Sequence, residues 1–446
     1  MNYSFLFTLV IFLFALYLWF GKNAAKSIAK NSDFFLMDRQ LTFLPLCLTL
    51  LATQLGGGVL IGAADKSYSE GWIVLLYPLG TFLGFLFLGF GFGAKLRKMN
   101  IATIPEIFEV IYKSKSLRLI ASSISIISFY FILVGQGIAA KKFFATIGLN
   151  SPKYFVTFWI VFVIYTVMGG FKAVVKTDII QSIIILLGLA LAFYSLDFNN
   201  LYFEQISPAN FNFKGIPWSA YLLMPFGFML IEQDMAQRCF AVKNTRIIAP
   251  AAITAGLVLF IGSAIAIFFG IIGRDIAQNI AAESSVLMTT IETLTHPLVA
   301  TFFMVAIAMA IASTADSLLC STASLISCDF VVHFKMSHNK NLLISRLITL
   351  LIGVSSLILT YYFENIISVL LLSYELAVSA LLVPVIIAVI SKKPNKSGAM
   401  FAFFTGIICF IIFQFLSPAF KEFFTLSLSL TAYHLGSLLQ KKSKYH

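Results

Sequence analysis

The sequence predicts an all-α polytopic membrane protein, and three observations carry that expectation. Of 446 residues, 59% are hydrophobic and only 11% charged, and the mean hydropathy is +0.94, too little polar surface for a water-soluble globule of this size. Apolar runs of roughly 17 to 25 residues, the length that spans a hydrocarbon core as a helix, recur along the whole chain. Lys and Arg are concentrated in alternate connecting segments, as expected for cytoplasmic loops.

Taken in order, the runs place thirteen helices at about 3–20, 41–65, 72–94, 119–140, 154–169, 177–196, 218–235, 247–272, 295–327, 343–361, 366–390, 398–416 and 423–439. The first, "MNYSFLFTLVIFLFALYLWFGK", has no basic residue before its apolar run and no small-residue cleavage site, so it reads as an uncleaved helix. No room remains for a soluble domain, and residues 1–446 form one membrane domain. With the N-terminus outside, the inner segments hold 24 basic residues and the outer ones seven. An odd number of spans then places the "KKSKYH" tail in the cytoplasm. The net charge of +12 therefore reports topology; a nucleic-acid surface would cluster its charge on one soluble face. Cys47, Cys239, Cys320, Cys328 and Cys409 have no paired spacing and read as free thiols. His296, His333, His338, His434 and His446 form no ligand-like cluster, so no metal site is expected.

Three spans break the pattern of plain apolar helices. In "LLATQLGGGVLIGAADKSYSEGW", Gly56, Gly57 and Gly58 follow Gln54 in mid-membrane. Each glycine costs a helix up to about 1 kcal/mol relative to Ala, and unwound backbone at that depth is tolerated only where it lines a protein cavity. Two readings stand: a broken helix offering carbonyl oxygens to an ion, or a close helix crossing through small residues. In "LLMPFGFMLIEQDMAQRCFAVKNTR", Pro225 removes a backbone donor, so the helix is expected to kink or open near Pro225 and Gly227. Two interrupted helices, each early in a set of spans, point to a transporter with inverted repeats and a midplane site.

The third is "AMAIASTADSLLCSTAS", residues 308–324, with six hydroxyl side chains and one carboxylate. Ala310, Ser313, Thr314 and Ser317 are spaced to share one helix face, and sodium, a hard cation, prefers oxygen ligands. Serine and threonine in membrane helices also bond their own i−4 carbonyls, which accounts for Thr322 and Ser324. Asp316 at mid-depth costs at least about 2.5 kcal/mol on insertion scales and marks a functional position. Asp178, in "YTVMGGFKAVVKTDIIQS", is either its partner across a bound cation or, near Lys172 and Lys176, an interfacial acid at a helix start.

These stretches, with "NSDFFLMDRQL", "PEIFEVIYKSKSLRLIAS" and "AIASTADSLLCSTASLISCDF", resemble in order the signature segments of the sodium:solute symporter family, from about residue 31 to 330. The last hundred residues match mainly by hydropathy. The resemblance implies the leucine-transporter-type fold, with inverted five-helix repeats at about 41–196 and 218–390, an extra N-terminal helix and loop in 1–40, and two C-terminal helices and a short basic tail in 391–446. It implies a non-enzymatic carrier in which the sodium gradient drives import of a small polar solute, such as an amino acid, organic acid, sugar or vitamin, by alternating access. Na+ is then the coupling ion, with no further cofactor. The partners are the solute, Na+ and the lipid bilayer, with no nucleic acid and no obligate protein partner, in a bacterial inner membrane.

Carried over by motif, the principal sodium site would use the backbone carbonyls of Ala52, Leu55 and Ala310 and the hydroxyls of Ser313 and Thr314. A second cation site would use Asp178, Asp316 and Ser317, with Ser313. Some members carry Ser at the position of Asp316, which leaves sodium, a proton or neither as its occupant. Gln54, Gly56, Gln136, Phe226 and Met229 would line the solute cavity. Gln54 stands where other members carry Asp or Asn, which argues against a carboxylate partner for a cationic solute. The competing readings are proton coupling in the same fold and, in another class, a membrane sensor that binds solute without moving it.

Overall fold

A computed structural model describes residues 3–197, 215–276, 283–331, 338–416 and 420–443 of the chain. Backbone surrounded by hydrocarbon must satisfy its own hydrogen bonds, and the described residues answer with helices: α1 (Tyr3–Ala25), α2 (Asn31–Leu36), α3 (Phe43–Gln54), α4 (Ala63–Glu70), α5 (Leu76–Phe87), α6 (Gly93–Lys98), α7 (Glu106–Val110), α8 (Lys115–Thr146) and α9 (Pro152–Tyr194). These are followed by α10 (Trp218–Ile231), α11 (Gln233–Phe240), α12 (Ile248–Ile276), α13 (Val286–Leu294), α14 (Pro297–Asp329), α15 (His338–Leu359), α16 (Ile366–Ile390), α17 (Lys396–Leu416) and α18 (Lys421–Ser443).

Every apolar run identified in the sequence is helical. Among the described residues, nine helical stretches are long and apolar enough to cross a membrane individually. That number differs from thirteen partly because some expected spans are joined and others divided. The runs 154–169 and 177–196 form α9, bent at Gly170, whose φ of 51° and ψ of −149° are not helical. A Cβ there would lie 2.5 Å from the carbonyl oxygen of Phe34, so both the backbone conformation and the approach of α2 require glycine. The run 41–65 is divided into α3 and α4. The run 218–235 is also divided, but not where expected: α10 continues through Pro225, and the break falls at Glu232 (φ −69°, ψ 122°).

The centre of the bundle is α14, 83% of whose apolar window is buried; it packs against α9, α8, α15 and α3. A helix buried all round has no lipid-facing stripe, so its hydroxyls and carboxylate face other helices. Along α15, α17 and α18, by contrast, Leu343, Leu351, Ile408, Phe415 and Leu438 are exposed, as a lipid-facing surface demands. Of the five histidines, His333 and His446 lie outside the described residues.

Candidate functional site

Helix α3 stops at Gln54 because Leu55 (φ −85°, ψ 55°) leaves the helical region, and the chain resumes in a π-helical turn, Gly58–Gly62, leading into α4. The last carbonyls of a helix have no intrahelical donor. Here α14 supplies donors: Ser313 Oγ donates to Ala52 O at 2.9 Å, and Thr314 Oγ1 donates to Thr53 O at 2.8 Å. Ser313 Oγ also lies 3.0 Å from Ala310 O. The glycines permit this contact, since a Cβ on Gly56 would sit 2.0 Å from Thr314 Oγ1. Both readings of the glycine run therefore hold: the helix is broken, and the small residues let helices approach closely.

Of the five expected sodium ligands, Ala52, Ala310 and Ser313 meet directly, and Leu55 stands at the bend. Thr314 bonds Thr53, a carbonyl that the motif match did not include. The cluster is neutral and built of hard oxygen donors, which suits sodium. Each hydroxyl can turn its proton away and offer a lone pair.

One turn along α14, Asp178 and Ser317 of the second expected cluster meet at a cation of the chain's own, while Asp316 turns to α9 and Ser313 stays with α3. Arg238, on α11 and fully buried, donates through Nη2 to Asp178 at 3.0 Å and to Ser317 at 2.7 Å. Its Nε reaches Thr49 Oγ1 at 2.9 Å, its Nη1 reaches the Asp234 carbonyl at 3.1 Å, and the guanidinium lies over the Phe171 ring. Thr49 donates to Asp178 as well. Asp178 is therefore a buried partner of α3 and α11; the interfacial reading fails, and Lys172 bonds Ser27. Asp316 faces α9, where Tyr165 and Thr177 donate to it, with Ser317 Oγ at 3.4 Å. Thr53 Oγ1 lies 3.1 Å from Ser317 Oγ and connects the two clusters.

Beside the break in α3 lies a cavity of about 20 Å³, lined by Gln54, Gly56, Gln136, Tyr77, Glu232 and Tyr374, among others. That volume is on the scale of a single water, so a solute requires the helices to part. Gln54 Nε2 donates to Glu232 Oε2 at 2.7 Å, and Gln136 Oε1 accepts the Gly57 N–H at 3.1 Å. Tyr374 stacks on Phe228 at 4.4 Å. Three of the five expected lining residues, Gln54, Gly56 and Gln136, are here. Phe226 and Met229 are not: Phe226 meets Phe87 edge-on, and Met229 packs on Gly84, both on the α5 side. With 3.6 residues per turn, the α10 face toward α16 belongs to Phe228.

Although position 54 itself carries no carboxylate, the cavity has two, Glu232 and Asp234. They arrive from the α10–α11 break. The signal lies in "LIEQDMAQR": three polar or charged residues, Glu232, Gln233 and Asp234, directly after an apolar run. Pro225, seven residues earlier, is the stronger local breaker and masks it. Thr322 does bond its own i−4 carbonyl at 2.7 Å, but Ser324 receives Gln233 Nε2 at 3.2 Å, and Ser321 donates to Gln237.

The sodium:solute symporter family profile matches residues 34–406. The chain is 25% identical over 413 residues to the sodium/pantothenate symporter of Haemophilus influenzae, covering 85% of this chain and 84% of that one. It is 28% identical over 447 residues to the osmoregulated proline transporter OpuE of Bacillus subtilis, covering 92% and 89%. Among solved structures, it superposes on a substrate-bound, outward-open Na+-coupled sialic acid symporter with a TM-score of 0.78 at 18% identity, over 98% and 96% of the two chains. It superposes on Mhp1, a nucleobase-cation-symport-1 family transporter, with a TM-score of 0.61 at 16% identity, over 92% and 95%. These likenesses establish the leucine-transporter-type fold. With two broken helices, a buried hydroxyl-rich helix and a family match over most of its length, the chain belongs to the sodium:solute symporter family: it is a multi-pass membrane symporter that couples solute movement to sodium.

Proposed function

We propose that sodium binds where α14 meets the broken end of α3, among the carbonyls of Ala52, Thr53 and Ala310, the hydroxyls of Ser313 and Thr314, and Leu55 at the bend. The observation that carries this reading is the pair of hydroxyl contacts from Ser313 and Thr314 to carbonyls orphaned by the helix break. Sodium entering this cluster would tie α14 to α3, while solute in the adjoining cavity touches the same break at Gln54 and Gly56. Each ligand would favour the conformation that the other needs, which is the requirement for coupled transport. At the second cluster, Arg238 already supplies the positive charge beside Asp178 and Ser317, so a further coupling ion, sodium or a proton, would bind at Asp316. In this reading the chain crosses a bacterial inner membrane thirteen times, with its N-terminus outside and its C-terminus in the cytoplasm. The repeats at about 41–196 and 218–390 would each begin with a broken helix.

The test is thermal unfolding of the purified protein in detergent, titrated with NaCl against KCl and choline chloride at constant ionic strength. A ligand specific to the folded state at 100 times its Kd stabilises by about 2.7 kcal/mol. A sodium-specific shift that Ser313→Ala/Thr314→Ala abolishes is the expected result. Equal shifts with all three salts would refute the site.

A further inference from the structure

From the cavity beside the α3 break, and resting on the reading just given of its place in transport, we infer that the transported solute carries a protonated amine that binds between Glu232 and Asp234. Both acids are buried, at 5% and 1% exposure, and both line the cavity. Their hydrogen bonding is unequal. Glu232 accepts from Gln54. Asp234 spends Oδ1 on the N–H of Met235 at 2.7 Å and its carboxyl meets that of Glu232, while Oδ2, wholly buried, receives no N–H or hydroxyl donor among the described residues. A carboxylate oxygen is an acceptor only, so the group that completes it must donate, and buried carboxylates are kept paired.

The charges make the same demand. Asp178, Glu232, Asp234 and Asp316 share the centre of the bundle with one guanidinium, Arg238. Arg238 gives its side-chain ion pair to Asp178 and reaches Asp234 only through the backbone carbonyl. The carboxyls of Glu232 and Asp234 thus bond each other in a low-dielectric setting, and an ammonium group entering between them would replace that contact and balance both charges. Sodium is accounted for on the other side of the α3 break by neutral oxygen donors. Asp316 faces α9, so an ion bound there leaves Glu232 and Asp234 to the solute.

Two tyrosines of the cavity lining fit the same ligand. Tyr77 and Tyr374 place their hydroxyls 3.2 Å apart, and their rings lie within 10° of parallel. Tyrosines and carboxylates lining one cavity suit an alkylammonium group, which is attracted to aromatic rings while its N–H groups bond the acids. A neutral polyol would leave Asp234 Oδ2 facing a hydroxyl and leave the charge in place.

The test uses the full-length protein in saturating NaCl and reads thermal stabilisation by matched pairs that differ in the amine: putrescine against 1,4-butanediol, glucosamine against glucose, and 4-aminobutyrate against butyrate. In at least one pair the amine should stabilise and its counterpart should not. Asp234→Asn should weaken the apparent affinity for that amine by about tenfold or more. The sodium shift reports that the variant is folded, and Glu232→Gln replaces it if Asp234→Asn lacks that shift. An amine-free member that stabilises as strongly as its partner, a panel without any response, or an Asp234→Asn protein that keeps the wild-type amine response would each overturn the inference. A wild-type protein without a sodium-specific shift would instead refute the sodium site, so the two failures are distinguishable.

Discussion

One turn of α14 separates two polar clusters that meet positive charge in opposite ways. At Ser313 and Thr314 every group is neutral, and the oxygens converge from hydroxyls and carbonyls. At Ser317 the partners are a carboxylate and Arg238, and the cation is part of the chain. The first arrangement costs little when empty, because each hydroxyl bonds a carbonyl across the helix break. The second is stable only while intact, because breaking one side of a buried ion pair leaves an uncompensated charge. A site that releases its ion in every cycle has to resemble the first. The second holds α3, α9, α11 and α14 in register through Thr49, Asp178, Arg238 and Ser317.

The largest expected effect follows from removing the built-in cation. Arg238→Met should destabilise the protein by about 3–5 kcal/mol, read as the change in unfolding free energy in detergent. Pairing it with Asp178→Leu should recover most of that loss, because a paired apolar replacement leaves no unbalanced charge. Full stability in the single variant would show that the second cluster is not structural.

Gly56→Ala sharpens the comparison from the other side. The new methyl would overlap Thr314 Oγ1, so α14 must move away from α3, and sodium affinity should fall by about tenfold or more, equivalent to about 1.4 kcal/mol. Ion-free stability should change less than in Arg238→Met. Sodium titration of the unfolding temperature separates the two quantities.

Ser313→Ala removes a single hydroxyl that bonds both Ala52 and Ala310. The ion-free protein should lose about 1 kcal/mol, with most of the sodium-dependent shift lost as well. Tyr165→Phe is expected to have the smallest effect on sodium binding. It takes one donor from Asp316 while Thr177 and Ser317 remain, and should cost at most about 1–3 kcal/mol without altering the sodium response. A changed sodium response in Tyr165→Phe would make sodium, and not a proton, the ion at Asp316.

The sequence reading of α3 and α14 succeeded where local rules suffice. Three glycines in mid-membrane oppose a helix wherever they occur, and hydroxyls at i, i+3 and i+4 share a face in any helix. It failed where position depends on the partner helix. Pro225 looked like the stronger breaker, yet α10 runs through it and opens at Glu232, a residue with no local breaker chemistry. Arg238 looked like a loop cation by its place near Lys243 and Arg246, yet Thr49, Asp178 and Ser317 lie far from it in the chain and together make its burial possible. Met229 and Phe228 are neighbours in sequence, and only the positions of α5 and α16 decide which of them faces the cavity side.

Equilibrium binding of radiolabelled sodium to the purified protein tests the division between the clusters most directly. Saturable binding that Ser313→Ala/Thr314→Ala abolishes and Tyr165→Phe retains is the expected result. Sodium binding at wild-type affinity in the Ser313→Ala/Thr314→Ala protein would contradict it and move the ion away from the α3 break.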